Sequence, residues 1–356
     1  MRPLVGTPTL IRLALRLDRV RLIAWVTGVV AIGYGTASAF RDLYPTVESR
    51  RALASTLART PALIALTGPG FNLSSIGGLT AWRIGGFGAV MVALFGIFTV
   101  THHTRLQEES GRLELVGSGR VGRFAPLTAA LGLAFGVSLL IGLAFGAALT
   151  VLDEPAAGSF ALGLGFTSAG WTFAAIAAVT AQLSQSARAA NGLAGAVLGA
   201  AFLFRAVGDS AGTGGLSFMS WLSPIGWAQQ VRPFAGERWE VFALPVVLAV
   251  ACVGLSFRLQ QRRDLGEGLL SSRPGPPVAA RSLSTALSLA WRIHRGALAG
   301  WVVGLACLGA VLGSLAEGVG SLVGDNPQLR EIFERLGGKE NLIAAYFAST
   351  MGVVGM

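Results

Sequence analysis

The chain has 356 residues, 53% hydrophobic and only 13% charged, and its mean hydropathy is +0.62. A soluble globular domain carries about 25% charge, so composition excludes an ordinary soluble enzyme and sets the membrane class before any motif is read. The net charge of +10 reads as arginines gathered on one side of a bilayer and touching anionic lipid; nucleic-acid binding is not called for.

The segment 9–21, TLIRLALRLDRVR, places Arg12, Arg16 and Arg19 on one helical face and Leu10, Leu13 and Leu17 on another. That separation predicts an interfacial helix along the inner leaflet. A plain basic flank would explain the charge but not the two faces. Apolar runs of the roughly 20 residues that span a bilayer follow at 22–40, 79–101, 125–151, 160–185, 192–208, 241–257 and 297–316. An eighth begins near Leu342. The runs are continuous, unlike the alternating segments of about ten residues in a strand barrel. The expected fold class is therefore all-α, a polytopic transmembrane helical bundle. The first run is too long, and its basic flank too extended, for a cleaved signal peptide.

Orientation follows from the arginines. With the N-terminus in the cytoplasm, the inside segments 1–21, 102–124, 186–191 and 258–296 hold 17 Arg and 6 acidic residues. The outside segments 41–78, 152–159, 209–240 and 317–341 hold 9 basic and 12 acidic residues. Positive charge favours the cytoplasmic side, which predicts a multi-pass protein of the cell membrane with a cytoplasmic N-terminus.

Arg83 and Arg205 fall near the expected outer ends of their spans. Snorkelling to the interface is one reading; a substrate-path or inter-helix pairing role is the other, with Asp209 the nearest partner of Arg205. His102 and His103 sit at the inner mouth of the second span. Adjacent residues on a helix face different ways, so the two are expected to make a poor metal pair. No metal site and no catalytic constellation is expected.

Residues 104–124, TRLQEESGRLELVGSGRVGRF, separate two apolar runs that a short turn could have joined. About six turns of amphipathic helix are expected there. Leu113, Leu115 and Val116 would form its apolar side, and Glu108, Glu109, Arg112 and Glu114 its charged side. Glu108 with Arg112 at i,i+4 would add a few tenths of a kcal/mol. A solvated loop is the plainer reading, but charge of both signs packed between flanking runs points to a docking surface for a cytoplasmic partner.

Further along, four Gly-x-x-x-Gly spacings begin at Gly132, Gly142, Gly195 and Gly300 and suit close helix packing. Segment 209–240 carries Trp221, Trp227 and Trp239 and is broken by Pro224 and Pro233. Half-helices in the outer leaflet are expected, acting as an outer gate or as an interfacial anchor. Cys252 and Cys307 lie within spans and imply no disulfide framework.

The N-terminal LALRLDRVRLIAWVTG (13–28) returns as LAWRIHRGALAGWVVG (289–304). A repeat of this size predicts duplicated halves. On this reading 1–260 is a six-span half with its interfacial helix and charged island, 261–284 is a Pro/Gly/Ser-rich cytoplasmic linker, and 285–356 starts a second half. The second half is expected to be incomplete, from a fragment of a roughly twelve-span protein or a truncated gene.

The island EESGRLELVGSGRVGR resembles the E-E-x-G-x-x-E-L-L…R-P-V-x-R segment of type-2 permease subunits of ATP-binding-cassette exporters. Glu108, Glu109, Gly111, Glu114, Leu115, Val121 and Arg123 carry the match; Arg120 stands where the family has proline, so the helix end is expected to differ. Residues 217–240 resemble the outer segment before the sixth span of those permeases. The two-half layout looks most like duplicated actinobacterial polyketide and tetronasin-type antibiotic exporters.

The resemblance implies a coupling helix, involving Glu108, Glu109, Gly111, Arg112, Glu114, Leu115 and Arg123, that seats in a separate ABC-type ATPase, present in two copies. For an exporter of a lipophilic substrate, Arg83, Arg205, Asp209, Trp221, Pro224, Trp227 and Pro233 are the candidates for the outer gate or substrate path. A P-loop needs GxxxxGK[ST], and the one lysine, Lys339, precedes Glu340. ATP and magnesium are therefore expected on the partner, with no cofactor in this chain. The alternatives are an ion-coupled secondary transporter, which would need acidic or histidine coupling sites at mid-membrane, and a non-transporting scaffold that recruits a cytoplasmic partner.

Overall fold

The computed structural model describes residues 3–57, 61–211, 214–264, 266–270, 278 and 285–324. Every regular element among them is helical. In chain order these are α1 (Thr7–Leu17), α2 (Arg19–Leu43), α3 (Val47–Leu57), α4 (Pro61–Thr67), α5 (Ile76–His103), α6 (Arg105–Glu109) and α7 (Arg112–Gly117). There follow α8 (Ala125–Val151), α9 (Ala156–Leu183), α10 (Ala187–Ser210), α11 (Pro224–Gln230), α12 (Ala243–Gln261) and α13 (Ala286–Gly324), with 3-10 turns at Ser217–Leu222 and Trp239–Phe242.

Among the described residues, 6 segments are long and apolar enough to cross a membrane, and they belong to α2, α5, α8, α9, α10 and α12. The expected run 125–151 coincides with α8. The short fifth run, 192–208, is extended toward its N-terminus because the Ser186 hydroxyl accepts from Ala189 N (3.1 Å) and starts α10 at Ala187. A serine cap satisfies an N–H that the first helical turn leaves without a partner.

The chain divides into two units, Met1–Ala58 with Thr67–Ser272, and Arg59–Leu66 with Arg273–Met356. In the second, α13 contains the seventh run, 297–316, and continues unbroken for 39 residues. The first copy of the repeat is instead divided at Asp18 into α1 and α2. The basic segment that precedes the seventh run is thus not a separate helix. His294 occupies the position of Asp18, so the acid that holds the first bend has no counterpart. The eighth run near Leu342 and most of the linker lie outside the described residues.

In the first unit α9 is the central helix, packed against α8, α5 and α12. Its most apolar window is 78% buried, against 22% for α2 and for α12, so the first unit leaves most of the apolar surface of the latter two uncovered. α8 meets α9 backbone to backbone at Gly142 and Gly163, where a Cβ on either would strike the other's carbonyl. Gly146 lies under the Phe160 ring, whereas Gly136, Gly195 and Gly199 face open space. Of the expected glycine spacings, the one at Gly142 is therefore the tight helix contact. Dispersion between closely opposed backbones holds such contacts in a bilayer.

Candidate functional site

The island is not one six-turn helix. α6 stops at Glu109, and Gly111 takes φ +70, a left-handed conformation that glycine enters without a Cβ clash. α7 begins after it. The break removes the expected i,i+4 pair of Glu108 with Arg112, and Glu108 turns inward instead.

Its side chain is 6% exposed and lies between two arginines. Arg105 Nη1 donates to Oε2 at 2.7 Å, while Arg263 donates Nη2 to Oε1 at 2.6 Å and Nη1 to Oε2 at 2.9 Å. The Arg263 fork is bidentate, the strongest geometry available to a guanidinium and a carboxylate. Arg105 is fully buried and gives Nε and Nη2 to the carbonyl of Ala181 at 3.0 and 2.7 Å. Arg263 Nε donates to Gln182 Oε1 at 2.6 Å. Both arginines thus reach the last turn of α9, where carbonyls lack intrahelical donors and the helix dipole favours a cation.

Two further island residues bind helix ends. Glu109 Oε1 accepts from Ala187 N (2.9 Å), the first N–H of α10. Arg123 Nη2 donates to Gln260 O at 2.8 Å, near the end of α12. Glu108, Glu109 and Arg123, all expected on the docking surface, are therefore fasteners of the bundle. Arg112, Glu114 and Leu115 remain on the exterior, Leu115 being 76% exposed.

The expected apolar side of the island is divided as well. Leu113 and Val116, three apart and so on one helix face, line two cavities of about 430 and 510 Å³ under α7. Leu115 points away from them. Residues 3–5 are bound to the segment that follows α7: Gly122 N donates to Val5 O (2.8 Å) and Phe124 N to Pro3 O (3.0 Å).

His102 and His103 do not diverge as expected. Their ring centroids are 5.0 Å apart. His103 Nε2 is 2.7 Å from Asp18 Oδ2, which also accepts from Arg21 Nη2 at 2.8 Å. Imidazoles are long enough to swing toward a common partner from neighbouring helix positions.

At the opposite face Arg205 is fully buried, which excludes snorkelling. Its Nη1 lies 3.9 Å from Asp209 Oδ2 and 3.3 Å from Gln229 Oε1, and its guanidinium stacks 4.4 Å from the Phe202 ring centroid. Asp209 Oδ1 accepts from Ser220 Oγ at 2.6 Å. Burial arises because α11 folds back against α9, α5 and α10. Ser223 caps it, donating to Ala201 O (2.6 Å) and accepting from Gly226 N (3.1 Å), and Pro224 occupies the first turn.

Trp221 is exposed, and Trp227 Nε1 donates to its carbonyl at 2.6 Å. Pro233 lies between Arg232 (φ 55) and Phe234 (φ 61), two non-glycine residues in a sparsely allowed region that costs energy to hold. The Phe234 ring sits over Gly77 and Gly158, where any side chain would collide with it. Arg83 is exposed about two turns into α5.

Glu154 joins the α8–α9 connection to the start of α5, accepting from Gly77 N at 2.9 Å, with Arg41 Nη2 3.8 Å away. Burial raises its carboxyl above the ordinary 4.5, while Gly77 N–H and Arg41 pull it down. A raised folded-state value makes the ionised form the costly one. The resulting loss of stability is absent below the unfolded value and develops as pH rises through the folded value. Glu154→Gln keeps an oxygen for Gly77 and is expected to abolish that loss. Melting curves of variant and parent should then converge near about pH 4 and separate, variant higher, toward neutrality.

The bundle of apolar helices, with a charged segment fastened across one face, defines a polytopic α-helical membrane protein. Residues 8–258 and 283–356 match the family described as the multidrug efflux system permease Rv1217c, C-terminal domain, and the chain belongs to that family. It is 44% identical over 353 residues to the multidrug efflux system permease protein Rv1217c of Mycobacterium tuberculosis (strain ATCC 25618 / H37Rv). That alignment covers 99% of this chain, and the chain spans 63% of the relative's length.

Proposed function

We propose that this chain is the transmembrane permease part of an ATP-driven exporter of lipophilic compounds, a polyketide antibiotic or drug, and that a separate ABC-type ATPase binds α7. Membership of a family described as an efflux permease supports the reading. The observation that carries it is the division of labour in the island. Glu108 is buried in anchoring, and Glu109 and Arg123, though exposed, bind helix ends; Arg112, Glu114 and Leu115 are exterior residues that make no bond to another helix among the described residues. The arginine distribution supports a cytoplasmic position for that face in a cell-membrane protein.

On this reading two ATPase copies bind ATP and magnesium, and the permease supplies no catalytic group. Force applied at α7 passes through α6 and the Arg105–Glu108–Arg263 cluster to the ends of α9 and α12, and through Glu109 to α10. Substrate leaves past the folded-back segment at Arg205, Asp209, Trp221, Pro224, Trp227 and Pro233, and past Arg83.

A double variant, Glu114→Arg with Leu115→Asp, is expected to lower co-purification of the ATPase at least tenfold. Stability should stay within about 0.5 kcal/mol of the parent, as for other exposed substitutions. Unchanged co-purification, or export in cells lacking any such ATPase, would overturn the proposal.

A further inference from the structure

We propose that Asp18, His102 and His103 form a binding site for a borderline divalent transition-metal ion, zinc being the best fit, where the bend between α1 and α2 meets the end of α5. One donor atom from each of the three lies within 4.8 Å of the other two. His103 Nε2 and Asp18 Oδ2 are already 2.7 Å apart. The His102 ring makes no hydrogen bond among the described residues, and it lines the same cavity of about 510 Å³ as the other two.

Imidazole nitrogen with carboxylate oxygen is a donor set for zinc, at about 2.0–2.2 Å from the ion, which puts neighbouring donors about 3.3 Å apart in a tetrahedral site. Small side-chain rotations reach that spacing: the Asp18–His103 contact opens slightly and the His102 nitrogen closes in. The cavity supplies room for water as a fourth ligand. Calcium and magnesium require mostly oxygen donors and do not suit this set. Arg21 shares Asp18 Oδ2 at 2.8 Å, but its side chain is 35% exposed, so it is free to turn to solvent when an ion takes its place. A bound ion would fasten the α1–α2 bend to the last two residues of α5.

The test is titration of the purified, metal-stripped full chain, carrying no histidine tag, with Zn²⁺ against a chromophoric chelator. Co²⁺ serves as a second probe through its visible absorption. One equivalent of each ion is expected to bind, with a cobalt band of low-coordinate N/O type. Asp18→Asn and His102→Ala should each weaken zinc at least tenfold and remove the band. His102→Ala decides the matter, because it leaves the His103–Asp18 contact intact and should fold normally. His294→Ala, which alters the third of the 3 histidines, should bind as the parent does. Absence of stoichiometric binding, parental affinity in His102→Ala, or loss in His294→Ala would each overturn the site. None of these readouts depends on transport.

Discussion

Replacing Glu108 with alanine is expected to destabilise the detergent-solubilised chain by about 3–5 kcal/mol, the range for removing one partner of a buried ion pair. The size follows from what remains. Arg105 is fully buried and the Arg263 side chain is 5% exposed, so the two guanidiniums would face each other with no carboxylate between them. Arg105 would keep its bonds to the Ala181 carbonyl, but would lose the one carboxylate bonded to it. Glu108→Gln retains an oxygen and should cost less. Glu114→Ala, on the exposed side of α7, is the control and should cost almost nothing. Thermal unfolding of the three variants checks this, and equal midpoints for Glu108→Ala and Glu114→Ala would refute it.

Arg205→Ala should be comparably severe, again about 3–5 kcal/mol, and its effect should be localised. The Asp209 side chain is 3% exposed and would lose its cationic partner, keeping only the Ser220 hydroxyl. Gln229 would lose its bond from Arg205 as well, which would weaken the hold of α10 on α11 and leave the Ser223 bond to the Ala201 carbonyl as the remaining polar tie between them among the described residues. Hydrogen exchange should therefore rise first in 217–230. Replacing both partners together, Arg205→Met with Asp209→Asn, removes the unpaired charge and should recover much of the loss, because a neutral pair avoids the desolvation that the single variant suffers. If the double variant is no more stable than Arg205→Ala, the ion pair is not what holds the segment.

The spans were readable because a bilayer imposes length and apolarity on any helix that crosses it; α8 needed nothing more than its own composition. The fasteners were not readable, since their partners lie far away in sequence. Glu108 has Arg112 four positions on, yet binds Arg263, 155 residues distant. Proximity along a helix was a poor guide once the helix itself was broken. The sign of that break was present: Ser110-Gly111 interrupts the pattern, and glycine after a helix commonly marks its end.

Arg205 misled for a related reason. Its position near the end of a span suited snorkelling, and nothing local indicates that α11 turns back to cover it. His102 and His103 were separated by the rule that adjacent helical residues face apart, which holds for Cβ atoms better than for the ends of long side chains. The acidic pair at 108–109 carries a practical warning. Reversing those charges would disturb the seat of α7 and so mimic the loss of a partner contact.

The receiving end of several fasteners is main chain. Arg105 binds the carbonyl of Ala181, Glu109 the N–H of Ala187 and Arg123 the carbonyl of Gln260. Every residue type except proline offers both groups, and proline still offers the carbonyl. Evolution therefore meets an asymmetric constraint: the joints at 181 and 187 do not use the side chain there, whereas those at 105 and 109 depend on it. The Arg123 joint differs, because Gln260 Nε2 also donates to the Arg123 carbonyl at 3.0 Å. For the first two joints, an alignment of relatives would record one member of each pair and leave the other free to vary, so covariation between paired positions would not reveal them.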